Sequence, residues 1–441
     1  MPRDPFCHAL VAGGSMAGLL AARVLADHFQ QVTLIERDVL PRSPEARKGV
    51  PQGQHVHVLL LRGHAILEGL FPDITDQFRE AGAVSVDCGR ELVWHHTGDW
   101  RSRYDSELRL LSLSRPLLET CIAKRVQALP NVKVIEGVAV QGLTTGNGAV
   151  TGVLVDGPGD AIEADLVVDA TGRGSAVPHW LKHFGYEEVA TDQIPARVTY
   201  STCQFRRVDS GPDWRALIVT GPGSRRIAFA FAVEGNRWIV TLSSLFDEPV
   251  PQEHKAFLAV AKSLPTPELY STISDLEPLS KIVRYHFAGS QRRRYERFKS
   301  FPQGLLVIGD SVSSFNPVYG QGMTVAALQA EALGQLLTEA KRHGRLDPSL
   351  AGRWFRNVGE IIDGAWQGVS IEDYRLPELA AHRPASLRPL QWYMDRVHRA
   401  THRSAAVTDQ FYRVISFLDP PTALFRPHIV ARVLSPRGGS S

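Results

Sequence analysis

Gly13-Gly14-Ser15-Met16-Ala17-Gly18 sits between an apolar run, Ala9 to Ala12, and a helix-like run, Leu19 to Leu25. Leu10, Val11 and Ala12 read as a buried parallel strand. Gly13 permits a tight turn, and Gly18 lets the helix pack close to the strand, so that the helix N-terminus faces a pyrophosphate. The middle position of this pattern is usually glycine and here is Ser15. A small hydroxyl residue still lets the backbone approach a phosphate and can donate a hydrogen bond. Gly13, Gly14, Ser15, Ala17 and Gly18 are therefore candidate ligand contacts. Val32 to Ile35 reads as a second strand ending at Glu36. An acidic residue about 20 positions past the glycines suits a ribose diol. Arg37 follows, a candidate to lie against adenine or a phosphate.

A second glycine-bearing motif stands far along the chain. Leu305 to Ile308 is an apolar strand closed by Gly309-Asp310, and Asp310 is placed to accept hydrogen bonds from a sugar-like polyol. Phe315-Asn316-Pro317-Val318-Tyr319-Gly320-Gln321-Gly322-Met323 follows, with Pro317 stiffening the loop. Gly320, Gln321, Gly322 and Met323 open a helix predicted over Thr324 to Leu337. Amides at a helix start stabilise negative charge, such as that on the N1–C2=O edge of a reduced flavin. Two such turns at opposite ends of the chain suggest one long ligand gripped at both ends. Between them, Ala164 to Ser175 is a strand running into a turn, with Asp169 at the strand end.

Together the three motifs resemble those of flavin-dependent monooxygenases of the aromatic-hydroxylase and squalene-epoxidase type, over about residues 8 to 340. The resemblance implies that the first motif holds the ADP half of FAD and that Gly309-Asp310 holds the ribityl and pyrophosphate. It also implies that Arg115, just before a helix opened by Pro116, contacts the linker. Asp169-Ala170-Thr171-Gly172 matches an Asp-x-x-Gly motif near the cofactor that family members link to pyridine-nucleotide use, and here it departs from Asp-Gly. Gln52-Gly53-Gln54-His55-Val56-His57 and Phe315 to Gly322 look most like bacterial enzymes that oxidise polyketides and terpenoids in natural-product pathways. These include the polyene epoxidases of polyether antibiotic biosynthesis.

The implied cofactor is FAD, held non-covalently, since no covalent attachment signature is present. NAD(P)H would reduce it directly or through a reductase, and O2 would add at C4a. The resulting hydroperoxide would pass one oxygen to an apolar substrate. An alkene needs no general base, whereas a phenol benefits from one. The sequence offers no convincing proton relay. His55, His57 and Tyr319 are candidates only through proximity to motifs. That lack favours an alkene, and the resemblance to the polyene epoxidases implies epoxidation of a polyene or terpenoid. Aromatic hydroxylation is the alternative, and a non-redox FAD template, for example for cyclisation, is the alternative of another class.

Composition constrains partners more than chemistry. The 441 residues, 44% hydrophobic and 22% charged, suit a globular protein with a large core. A net charge of +3 gives no support for nucleic-acid binding. The basic run Gln291 to Arg297 reads as a solvated helix face, with a phosphate-bearing nicotinamide donor or a carrier protein as its other uses. Four scattered cysteines suit a reducing cytoplasm, and the histidines show no metal-ligand spacing, so no metal is expected. No apolar run reaches the about 18 residues of a membrane span. The N-terminal apolar stretch is interrupted by glycines and reads as strand and helix, not as a signal peptide.

The expected fold is α/β: a doubly wound FAD-binding domain of glutathione-reductase type, an inserted antiparallel sheet for substrate, and a helical C-terminal region. Residues 1–85, 108–190 and 285–340 make the first, 86–107 and 191–284 the second, and 341–441 the third. Val56 to Leu70 reads as a helix after a polar loop, Asp38 to Gln54, that could cover the cofactor. Between Ala196 and Arg284 the pattern turns to period two. Arg226 to Val233 alternates large and small residues, and Gly235-Asn236 turns the chain into Arg237 to Leu242, a hairpin signal. Ile227, Phe229, Phe231 and Val233 share a face, and Phe229 and Phe231 are the candidate substrate contacts. Helices are expected over Ser349 to Asp363, Pro389 to Ala400 and Ala405 to Leu418. Their aromatic residues are expected to pack the tail onto the first domain, with a substrate entrance or a peripheral membrane patch as alternatives.

Overall fold

The computed structural model describes residues 5–156, 161–208, 210–220, 225–246 and 248–435. Its first layer is a five-stranded parallel sheet ordered Leu305–Val307, Leu166–Asp169, His8–Ala12, Gln31–Glu36, Val132–Glu136. Leu10 and Val11 are wholly buried, as a strand covered on both faces requires. The register pairs Ala12 with both Ile35 and Asp169. Three strand ends are thus level, and their turns open into one crevice. The Gly13 N–H donates to the Ile35 carbonyl at 2.8 Å, closing the turn into the helix Met16–Ala26.

A seven-stranded sheet forms the second layer: Val283–Phe287, Val198–Arg206, Arg237–Leu245, Arg226–Val233, Ala216–Val219, Leu92–His96, Asp99–Trp100. It is antiparallel except where Ala216–Val219 runs parallel to Leu92–His96, so the sheet is mixed rather than wholly antiparallel. The hairpin lies where the alternation predicts it. Val233 pairs with Arg237, so Glu234, Gly235 and Asn236 make the loop, and Gly235 and Asn236 both have positive φ, 70° and 50°. Val283–Phe287 belongs to this sheet and straddles the boundary drawn between residues 284 and 285.

The structure departs from the sequence expectations at further points. The helix expected from Val56 begins at Leu61, and 56–60 are irregular or extended. The basic run is not a solvated helix face. Ser290–Arg293 is a strand, and Arg292 and Arg293 are buried. Arg292 pairs with Glu296 and Asp363, while Arg293 donates to the Ser311 and Arg173 carbonyls. Those guanidinium groups are used inside the protein.

The tail packs on both sheets rather than on the first domain alone. Its first helix does pack on the first domain: Trp354 Nε1 donates to the Val307 carbonyl at 3.0 Å, and Phe355 stacks on Tyr295. Later rings go elsewhere. Tyr412 stacks on Trp94 of the second sheet, Phe411 meets that ring edge-on, and Trp392 is exposed. The first helix also runs Leu350–Asp373, past the expected end at Asp363. Gly364 and Gly368 weaken the local helical signal, but tertiary packing carries the helix through them.

Candidate active site

A cavity of about 1060 Å³ lies between the two sheets and the C-terminal helices. At one end it takes in the glycine turns. Gly13 has φ of 101°, and a Cβ there would lie 2.5 Å from the Ala170 carbonyl oxygen. A Cβ on Gly18 would lie 1.7 Å from the Gly13 oxygen. At Gly309, where φ is 67°, it would lie 2.5 Å from the Ala17 Cβ. The two distant motifs therefore touch, and only glycine permits that approach. The Gly309 N–H donates to Gln329 Oε1 at 2.6 Å, a buried support that the sequence did not signal.

Ser15, Ala17, Arg37, Arg115, Gly309 and Asp310 line this end of the cavity. Pro317, Gly320, Gln321, Gly322 and Met323 continue the wall at the start of the helix Gly322–Arg342. Arg115 is the first residue of the helix Arg115–Gln127, whose N-terminus is capped by Ser114. Its guanidinium bonds Glu119 Oε1 at 2.6 Å and Ser15 Oγ at 3.1 Å, and Ser15 in turn donates to Glu119 at 2.6 Å. Burial opposes ionisation of Glu119, yet Arg115, Arg47 and Ser15 hold its pKa below the ordinary value. Asp310 opens onto the cavity with protein around it. Desolvation pushes its pKa up, against the pull of Arg115 and Arg173.

Gly13, Gly14, Gly18, Glu36 and Asp169 lie behind the wall. Glu36 accepts from the Gly14 N–H at 2.6 Å and pairs with Arg47 at 3.2 Å. Arg47 belongs to the polar loop, is nearly buried, and also donates to the Gly14 carbonyl. Asp169 accepts from Thr171 Oγ1 at 2.6 Å and Ser175 Oγ at 2.7 Å, bracing the middle turn. Desolvation raises its pKa against those bonds. That turn presents Thr171, Gly172 and Arg173 to the cavity. Arg173 donates to Ser314 Oγ and to the Gly289 carbonyl, each at 2.6 Å. Glu119, Arg47 and Arg173 were missed as site residues. An acidic residue four positions after Arg115 on one helix was the available signal for Glu119.

The far end of the cavity has an apolar wall and a polar one. Ile227, Phe229 and Phe231 line it, whereas Val233 lies outside the lining, in the core. His55, His57, Tyr319, Tyr200 and Asp373 add polar groups to the cavity lining. Burial lowers the His55 pKa to about 4. His57 falls to about 3 through burial and the nearby Arg115. His57 Nδ1 is 3.0 Å from the His55 carbonyl. The Tyr319 hydroxyl donates to Asp373 Oδ1 at 2.7 Å, and Asn316 Nδ2 donates to the same oxygen at 3.0 Å. Asp373 Oδ2 is buried with no partner. Desolvation lifts the Asp373 pKa to about 7, against these hydrogen bonds and with help from Glu372. Glu372 next door shifts the other way: burial opposes its charge, but His398 and Arg375 more than compensate.

A groove of glycine turns, a helix N-terminus and a cation, joined to an apolar chamber, defines a flavoprotein of the oxygenase kind. Residues 7–350 match the family described as FAD binding domain, and the chain belongs to that family. It is 31% identical over 432 residues to Protein Rv3254 of Mycobacterium tuberculosis (strain ATCC 25618 / H37Rv), covering 94% of this chain and 90% of that one. It is 28% identical over 356 residues to 6-methylpretetramide 4-monooxygenase of Streptomyces rimosus, covering 75% of each. The fold matches the crystal structure of p-nitrophenol 4-monooxygenase PnpA from Pseudomonas putida DLL-E4 with a TM-score of 0.63 at 16% identity, over 98% of this chain and 99% of that one. The protein is an FAD-dependent monooxygenase, with NAD(P)H the donor typical of its family. Among the described residues no helix is long and apolar enough to cross a membrane.

Proposed function

We propose that this enzyme hydroxylates a largely apolar aromatic substrate bearing a phenolic hydroxyl. The observation that carries the reading is the buried Asp373, with Oδ1 held by Tyr319 and Asn316 and Oδ2 free of any partner. Its chemistry supplies a general base, which attack on a phenol uses and attack on an alkene does not need. The similarity to 6-methylpretetramide 4-monooxygenase supports the same direction.

Ser15, Arg115, Asp310 and the backbone from Gly320 to Met323 are the residues suited to hold FAD. Once bound and reduced, FAD activates O2 and delivers one electrophilic oxygen atom. The chain does the rest. Ile227, Phe229 and Phe231 exclude water from the apolar side and position the ring. Ionised Asp373 takes the phenolic proton at Oδ2, which raises electron density at the ring carbons ortho and para to the oxygen. Tyr319 and Asn316 keep Oδ1 engaged, so the carboxylate presents one defined atom. Product formation should rise with pH through about 7 as Asp373 ionises.

Epoxidation of a polyene or terpenoid is the second reading, favoured by the same apolar wall, and it requires no base. The two part on Asp373→Asn. For a phenol, the variant should lose about 10²–10⁴-fold in product formation and lose the rise near pH 7, with FAD still bound. A panel of phenols and polyenes, read by product mass with NADPH and NADH, tests this. Full activity of the variant on every accepted substrate would overturn the hydroxylase reading.

A further inference from the structure

The His55 side chain ends a chain of hydrogen bonds whose proton order can be worked out. Thr202 and Thr241 face each other across neighbouring strands, with their hydroxyls 2.7 Å apart. The Val56 N–H donates to Thr241 Oγ1 at 3.1 Å, and His55 Nδ1 lies 2.7 Å from Thr202 Oγ1. A hydroxyl carries one proton. With Thr241 donating to Thr202, and Thr202 donating to Nδ1, one buried group is left unpaired, the ring's own Nε2–H. The reverse order leaves two, the Thr241 proton and the bare Nε2. Nδ1 is then an acceptor, and the proton of the neutral ring sits on Nε2.

That Nε2 is buried without a partner, and the His55 side chain lines the cavity. The Tyr200 and Tyr285 rings flank the imidazole at 5.7 and 5.8 Å, and the Tyr200 hydroxyl is likewise buried and unpartnered. Buried donors without acceptors are rare in folded proteins and point to a missing partner. Burial also keeps the ring neutral, so the donor does not become a cation at ordinary pH.

We propose that His55 Nε2–H is a positioning and specificity donor, accepting into the cavity a substrate that offers it a carbonyl or phenolic oxygen. This rests on the reading that substrate is oxidised in this cavity. An oxygenated ring pairs the donor, whereas a plain hydrocarbon strands it. Thr202 and Thr241 act at one remove, by fixing the tautomer.

The test uses the oxidised holoenzyme and two probes of one shape, 9-fluorenone and fluorene, with binding read from the visible flavin spectrum. Fluorenone can only accept. It should bind about tenfold or more tightly than fluorene, as expected for a buried donor gaining its partner. His55→Leu should reduce that ratio to about one while FAD occupancy stays full, and His55→Gln, which keeps a donor, should restore part of it. Nitrogen NMR of histidine-labelled enzyme should report the Nε2–H tautomer, and Thr202→Val should admit the other. Equal affinity for the two probes, including no detectable binding of either, overturns the proposal, as does an Nδ1–H tautomer. Loss of discrimination with phenol hydroxylation intact overturns this inference alone. Retained discrimination with no phenol product overturns the functional reading alone.

Discussion

Asp373 makes a prediction about stability that is independent of any substrate. An unfolded aspartate releases its proton near pH 4, whereas burial in the folded chain holds it to about pH 7. The folded state thus binds the extra proton between those values. The stability this group contributes is fully present below pH 4, falls as pH rises, and is lost above about 7. Asp373→Asn should therefore raise Tm at pH 8 and change it much less near pH 4.5. Thermal melts at the two values check this, and a variant less stable at pH 8 would contradict the burial argument. Asp310 makes a prediction about the cofactor. Removing its carboxylate by Asp310→Ala should weaken FAD binding by about 1.5–3 kcal/mol, roughly ten- to a hundredfold. Flavin occupancy of the purified variant measures it, and unchanged occupancy would remove Asp310 from the cradle. Gly309, Asp310 and Arg115 were legible because a tight turn or a helix start imposes a pattern on adjacent residues. Asp373 was not, because its meaning comes from Tyr319, 54 positions away. Glu36 reads as a ribose ligand from spacing alone. In the folded chain its carboxylate meets the Gly14 N–H and Arg47, a loop residue with no motif around it.

At the scale of elements, alternation and turn chemistry carried well. The strand Arg226–Val233 and its hairpin partner lie where period two places them, since one face meets the cavity and a slip of one residue would expose the wrong set. Phe231→Asp puts an unpaired charge into that wall. It should abolish oxidation of an apolar substrate while leaving FAD bound, a split read by product assay and flavin spectrum on one preparation. Loss of FAD from a folded variant would move Phe231 to the cofactor side. Helix ends were less legible. The helix Leu350–Asp373 passes through Gly364 and Gly368, both of which line the cavity. A propensity argument stops before them, and with it before Glu372 and Asp373. The start at Leu61 rather than Val56 has a similar cause. The Val56 N–H is engaged by Thr241 and the Leu60 N–H by Thr324, so tertiary hydrogen bonds keep those residues out of the helix.

Over the whole molecule, the two glycine turns meet at Gly309 and Ala17, and one cavity continues from them to the chamber between the sheets and the tail helices. Each motif proposed to hold the cofactor is a short contiguous stretch, which is why it shows in the sequence. The chamber proposed for substrate is assembled from the strand Leu92–His96, the seven-stranded sheet and the tail, and no contiguous stretch encodes it. In the proposed reaction an oxygen atom from O2 is delivered in that chamber to a phenolic ring. The direct test is reaction of the holoenzyme under labelled O2 with NAD(P)H and a panel of phenols and polyenes, followed by mass analysis of the products. One labelled oxygen on a ring carbon ortho or para to an existing hydroxyl is the expected result. A label drawn from water, or a labelled epoxide with every phenol untouched, would contradict it.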